Sequence, residues 1–181
     1  TSTSTFWEGW TQSRVRAICL VSALGSAALA LFVYEAHPHI PDELAYIFQA
    51  RSFAEGRLTV GSNGVPEAFS VFMVPCDAAR CYSVAAPGWS AILTLGVLVG
   101  AGWLVNPLLS GLNLLLAHRL FARHMESREA LLALALLAAS PWWIFTGMSF
   151  MQHCATLFFA LLAALAASTF LTDARLRWPI L

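Results

Sequence analysis

Three long stretches without a charged side chain constrain this sequence more than any other feature. Ile18 to Tyr34 holds no Asp, Glu, Lys or Arg, and neither does Tyr82 to Ala117 or Ala130 to Thr172. Apolar runs of about 18–20 residues match the thickness of a bilayer core. Inside lipid every backbone polar group must be paired within the protein, which favours helices. The fold class that follows is an all-α polytopic membrane protein. Composition agrees. Charged residues are 11 % of the chain and hydrophobic residues 59 %, where a soluble domain carries roughly 25 % charged residues. Net charge is zero. A disordered chain, a nucleic-acid binder acting through a basic surface, and most soluble enzymes are excluded on these grounds.

The number of crossings follows from arginine placement, because cytoplasmic loops are enriched in basic residues. Placing residues 87–102 along the outer surface puts Arg14, Arg16, Arg119, Arg123, Arg128, Arg175 and Arg177 inside, and Arg51, Arg57 and Arg80 outside. Letting 87–102 cross as well reverses most of that bias. Pro87, Gly88, Gly96, Gly100 and Gly102 also make this segment a poor spanning helix. The expectation is four crossings, at about 16–35, 104–121, 129–147 and 149–171, with an outer loop over 36–103. The first run lacks a small-x-small cleavage site and reads as a retained helix, not a removed signal. Trp7, Trp10, Trp142 and Trp143 suit an interfacial belt. Small residues on the last helix (Ala160, Ala163, Ala164, Ala166, Ala167, Ser168) permit close packing. No internal repeat is present. The chain, 1–181, reads as a single membrane module of a multi-pass inner-membrane protein, N-terminus cytoplasmic.

The outer loop carries most of the acids, and two are adjacent in His37-Pro38-His39-Ile40-Pro41-Asp42-Glu43. Pro41 and Asp42 suit a helix start. Residues 42–55 then form an amphipathic helix that Gly56 ends. Leu44, Ile47, Phe48 and Ala54 share one side of it. Asp42, Tyr46 and Gln49 share another. A carboxylate on an interfacial helix can act as general base on an acceptor hydroxyl or amine, and Asp42 and Glu43 are the candidates. The plainer alternative makes Asp42 a helix cap and Glu43 a surface acid. His37 and His39 are weak candidates for a divalent metal, the plainer alternative being two loop histidines. Cys76 and Cys81 lie between two short apolar runs, 71–74 and 82–84, that read as a hairpin bridged by a disulfide. Cys19 and Cys154 read as packing residues. His153, in a charge-free run, is a candidate ligand for a phosphate or a partner of Asp42, or else an interfacial His bonded to a turn carbonyl.

The order of these segments resembles a known pattern. HIPDELAYIFQARSFAEGRL follows the first apolar run, then Tyr82-Ser83, Ala86-Pro87-Gly88-Trp89, Asn106-Pro107, HRLFARH and SPWWIFTGMSFMQH. Over about 35–155 this is similar to the N-terminal half of the conserved module of GT-C membrane glycosyltransferases. The similar branch holds the protein O-mannosyltransferase-like enzymes (glycosyltransferase family 39) and the lipid A aminoarabinose transferase. The resemblance implies inverting sugar transfer on the outer face of a bacterial plasma membrane from a polyprenyl-phosphate sugar. The acceptor would be a lipid, glycan or protein. Asp42 would activate that acceptor, with Glu43 beside it. Tyr46, Gln49, Arg51 and His153 would contact substrate. A divalent metal remains an option; nucleic acid has no role. Such enzymes usually carry more membrane helices, so the chain reads as a fragment or a short form, with further membrane helices as partners if a fragment. Two other classes compete: a non-catalytic module that binds or transports a lipid-linked substrate, and a structural subunit of a membrane complex.

Overall fold

The computed structural model describes the backbone of residues 2–62 and 64–177, and the side chains of 11–62 and 64–171. The expectations for Trp7, Trp10, Arg175 and Arg177 fall outside the described side chains. In chain order the elements are α1 (Ser2–Phe32), α2 (Pro41–Ala54), β1 (Val60–Gly61), α3 (Pro66–Phe69), β2 (Arg80–Cys81), α4 (Pro87–Leu98), a short 3-10 turn (Gly102–Leu104), α5 (Val105–Phe121), α6 (Ser127–Ala138), α7 (Pro141–Met148) and α8 (His153–Arg177). The fold is helical with almost no strand.

Three helical stretches are long and apolar enough to cross a bilayer: Thr11–Phe32, Gly102–Phe121 and His153–Leu171. The third expected crossing, 129–147, is not one straight helix. α6 and α7 meet at a 59° bend. Ser140 is extended there and Pro141 opens α7. Proline offers no backbone N–H, and it pushes the residue before it out of the helical region. The last crossing also begins later than expected, at His153 and not at 149, because 149–152 is non-helical. α4 spans only 12 residues, about 18 Å of helix, too short to cross.

α1 and α5 form the centre of the bundle, with α6 and α7 on both of them and α8 on α5. Close approach depends on small residues. A Cβ at Gly111 would sit 3.0 Å from the Ala23 Cβ and 3.1 Å from the Cys19 carbonyl oxygen. Ser22 and Ser110 hydroxyls meet at 3.3 Å, and the Trp143 indole N–H donates to Ser22 at 3.3 Å. Polar contacts and small side chains replace the water-driven force that lipid cannot supply. Val15, Leu114, Leu134 and Trp143 fill the adjoining core.

The two ends of the bundle differ. One end collects the close of α1, the loop from 33 to 101, the start of α5 and the 149–152 break. The other collects Arg14, Arg16, Arg119, Arg123 and Arg128. There the Arg123 guanidinium donates to the Leu165 carbonyl at 2.9 Å and to the Ser168 and Thr169 hydroxyls. At the first end α2 lies on α4. Tyr46, Ile47, Ala50, Trp89, Leu93 and Phe150 are all buried in the core between them.

Gly111→Val should overpack the α1–α5 contact and cost about 1–3 kcal/mol, lowering the thermal midpoint in detergent. Gly25→Val, with nothing within 4 Å of its added Cβ, should leave it unchanged. Equal losses for both would show that the close approach at Gly111 is not what holds these helices.

Candidate functional site

The adjacent acids are placed in opposite environments. Glu43 is fully buried, at 0 % exposure. Its carboxylate accepts the Tyr34 hydroxyl at 3.1 and 3.3 Å, the His39 backbone N–H at 2.8 Å and the Phe150 backbone N–H at 3.0 Å. It ties together the end of α1, the loop into α2, and the break between α7 and α8. A buried acid with this many donors is a structural tie, which sets aside the plainer alternative of a surface acid, and its oxygens are occupied by protein donors. The chain reaches this arrangement through two consecutive left-handed residues, Glu35 (φ 50°) and Ala36 (φ 54°). That region is uncommon for residues with a Cβ, and here it turns the chain sharply from α1 toward α2. Burial, followed by the Glu43 charge and hydrogen bond, pushes the Tyr34 phenol up to about 12. The hydroxyl therefore stays a donor.

Asp42 is half-exposed on the first turn of α2. Its carboxylate has no hydrogen-bond or ion-pair partner among the described residues. Tyr46, one turn on, is buried, and burial with the Asp42 charge raises its phenol. Gln49 is also buried, and its amide donates to the Ala85 carbonyl at 3.4 Å. On this side of α2 Tyr46 is covered by Trp89 and Leu93 of α4 and Gln49 by the segment before α4, while Asp42 stays half-exposed. The apolar side, with Leu44, Ile47 and Phe48, opens on a groove of about 530 Å³.

That groove is walled by α2 and by the segment from Val60 to Cys81, with Phe69, Val71 and Val74 on the far side. Two cationic candidates line it, Arg51 and His37, and no carboxylate does. Arg51 is exposed, with no salt bridge among the described residues. The far wall is held by the expected hairpin. Its arms pair through the Tyr82 N–H to the Pro75 carbonyl at 3.1 Å and the Val84 N–H to the Met73 carbonyl at 3.0 Å. Cys76 and Cys81 are joined in a disulfide. The Asp77 carboxylate accepts the Ala79 and Arg80 backbone N–H groups, both at 2.8 Å. These bonds hold its pKa below the usual carboxylate range. The formal strand pairing is different from the expected one: Arg80 and Cys81 pair with Gly61 and Val60.

The remaining candidates are placed apart. The His39 ring nitrogen Nε2 lies 3.0 Å from the Tyr34 carbonyl oxygen and the ring packs edge-on to Tyr34. No group of three or more potential metal ligands is assembled among the described residues. His153 is exposed with its ring 5.6 Å from that of Trp142, and it makes no hydrogen bond to Asp42.

Three residues essential to this corner had no role assigned from sequence. The Trp89 indole N–H donates to the Phe150 carbonyl at 2.8 Å. The Asn106 amide donates to the Ser149 and Met151 carbonyls, both at 2.7 Å. Tyr34 holds Glu43. The available signal was Asn106 itself, an amide inside an apolar run. Comparison with known protein families, with characterised proteins and with solved structures finds no match to this chain.

Glu43→Ala should strand the Tyr34 hydroxyl and the Phe150 N–H, at about 1–3 kcal/mol for each orphan, and Glu43→Gln should fall between it and wild type. Thermal unfolding in detergent measures both. The raised Tyr34 pKa means that the folded state holds this proton more tightly than the unfolded state does. Its contribution is complete below about pH 10 and disappears as pH rises toward about 12. Tyr34→Phe should remove that alkaline dependence; a variant that keeps it would place the titrating group elsewhere.

Proposed function

We propose that this chain is a membrane glycosyltransferase module of GT-C type, with Asp42 as general base. In this reading three helices and the bent α6–α7 pair cross a plasma membrane. The arginine-rich end faces the cytoplasm, in keeping with the positive-inside bias, and the end carrying α2 and α4 faces out. The donor is a polyprenyl-phosphate sugar and the acceptor bears a hydroxyl or amine.

The observation that carries the reading is the division of labour between neighbouring acids. Glu43 fixes the first turn of α2 to the rest of the fold. Asp42, on the same turn, is left half-exposed and unpartnered, a carboxylate held in position and available to accept a proton. The groove lies on the opposite side of α2, with Leu44 and Arg51 about 180–200° around the helix from Asp42, and supports the lipid part of a donor. Its apolar walls suit an isoprenoid chain, and Arg51 suits an anionic group carried on it. In the transfer, Asp42 takes the acceptor proton and the acceptor oxygen or nitrogen bonds to the anomeric carbon. The bond from that carbon to the phosphate oxygen breaks with inversion, and the lipid phosphate departs with the electron pair.

A non-catalytic binding module predicts Asp42 paired with Arg51 or turned to solvent. Asp42 makes no ion pair with Arg51, which lies on the opposite side of α2, and it is half-exposed, so transfer activity is the measurement that separates the two readings. A purely structural subunit has no need of a groove. Asp42→Asn in the full-length protein should lower transfer by a factor of about 10²–10⁴, the usual contribution of a general base. Membrane insertion and thermal midpoint should stay unchanged. Mass spectrometry of membrane glycoconjugates from cells carrying each form reads the outcome, and undiminished transfer would remove Asp42 from the chemistry.

A further inference from the structure

We infer that a second, smaller chamber, separate from the apolar groove and open to solvent past the exposed Leu58, Arg80 and Pro87, binds a hydroxyl-rich group of monosaccharide size. Its volume is about 280 Å³ and its polar wall residues are Gln49, Thr59, Arg80, Tyr82 and Ser83. The β1–β2 strand pair divides it from the groove. Side chains alternate across a strand, so Val60 and Cys81 line the groove while Thr59, Arg80 and Tyr82 line the chamber. α2 is shared in the same way, Phe48 and Ser52 facing the groove and Gln49 and Phe53 the chamber. The two spaces therefore differ in chemistry although they share one partition.

Gln49 gives the second, independent observation. It is more than nine-tenths buried, and its carbonyl oxygen Oε1 has no hydrogen-bond partner. Buried acceptors are almost always paired. The only tether of this amide is a long 3.4 Å bond from Nε2 to the Ala85 carbonyl, and its terminal torsion is broad. Oε1 is itself buried, so presenting it to a ligand hydroxyl requires the amide to turn and give up its bond to Ala85. Around it stand the donors and acceptors a polyol needs: hydroxyls from Thr59, Tyr82 and Ser83, and guanidinium N–H groups from Arg80. Arg80 is held in place by Asp77 at 3.6 Å and lies over the Tyr82 ring at 5.6 Å.

Gln49 shares a face of α2 with Asp42 and lies seven residues further along, about 10 Å at the helical rise. The occupant is thus a sugar unit remote from the reacting carbon, held for binding energy and register and not for chemistry. That role rests on the glycosyltransferase reading; occupancy of the chamber does not. The test is saturation-transfer NMR on the full-length protein in nanodiscs free of glycoside detergent. The probes are methyl hexopyranosides and methyl pentopyranosides, with cyclohexanol as the apolar control.

At least one glycoside should bind, and cyclohexanol should not compete with it. Gln49→Leu and Tyr82→Phe should each weaken binding about tenfold, the worth of one lost buried hydrogen bond. Thermal midpoints establish that both variants are folded, and Thr59→Val serves as the alternative probe if either is not. Asp42→Asn should bind as wild type does while losing transfer, so failure of the catalytic reading and failure of this one are separable. Absence of saturation transfer from every glycoside, or binding indifferent to all three wall variants, would overturn the inference and leave the chamber to water.

Discussion

The main chain between α7 and α8 has left the helix while still buried, and the rest of this end of the fold is organised around that fact. The Ser149 N–H still pairs with the Phe145 carbonyl and the Gln152 carbonyl with the Thr156 N–H, but the Ser149, Phe150 and Met151 carbonyls and the Phe150 N–H have no helical partner, and Ser149 and Phe150 are nearly inaccessible. Unpaired backbone groups in such surroundings cost several kcal/mol apiece. Side chains distant in sequence take them up: Asn106 for two carbonyls, Trp89 for a third, and Glu43 for the Phe150 N–H. Each of the three comes from a different helix. Satisfying one short break thereby sets the positions of α2, α4 and α5 together.

The same arrangement explains how neighbouring acids come to differ. A helix turn places adjacent side chains about 100° apart, so one of them can point into the break while the other points away. Glu43 is consumed by structure. Asp42 inherits a rigid base from it, which is what a proton-accepting group requires if it is to meet a substrate without reorganising. The tie and the candidate base are thus one device viewed from two sides of α2.

The hairpin beyond α2 has a comparable economy. Its arms are hydrogen-bonded, its turn is closed by Asp77, and its ends are joined by Cys76 and Cys81. A wall so short would be marginal alone. Covalent closure and pairing with Val60 and Gly61 allow it to stand between an apolar groove and a polar chamber. The alternation of its side chains gives those two spaces their different chemistry.

The helical class, the position of the apolar stretches, the start of α2 at Pro41 and the cysteine-bridged hairpin were legible in the residues themselves. Each depends on local physics: a run of apolar side chains, a proline at a first turn, two thiols a few residues apart. What neighbours cover a surface is not local. Tyr46 and Gln49 share the Asp42 face and read as substrate contacts, yet α4 and the segment before it bury both. Glu43 reads either as a candidate base beside Asp42 or as a solvated acid, yet its partners come from residues 34, 39 and 150. Pro141 marked the bend between α6 and α7, but the break at 149–152 falls where a spanning helix was expected, and its consequence depends on which side chains arrive to satisfy the freed backbone. Sequence determines where this chain turns apolar and where it turns; only the tertiary structure decides which acid is spent on pairing and which is left free, because desolvation and hydrogen bonding depend on partners far along the chain.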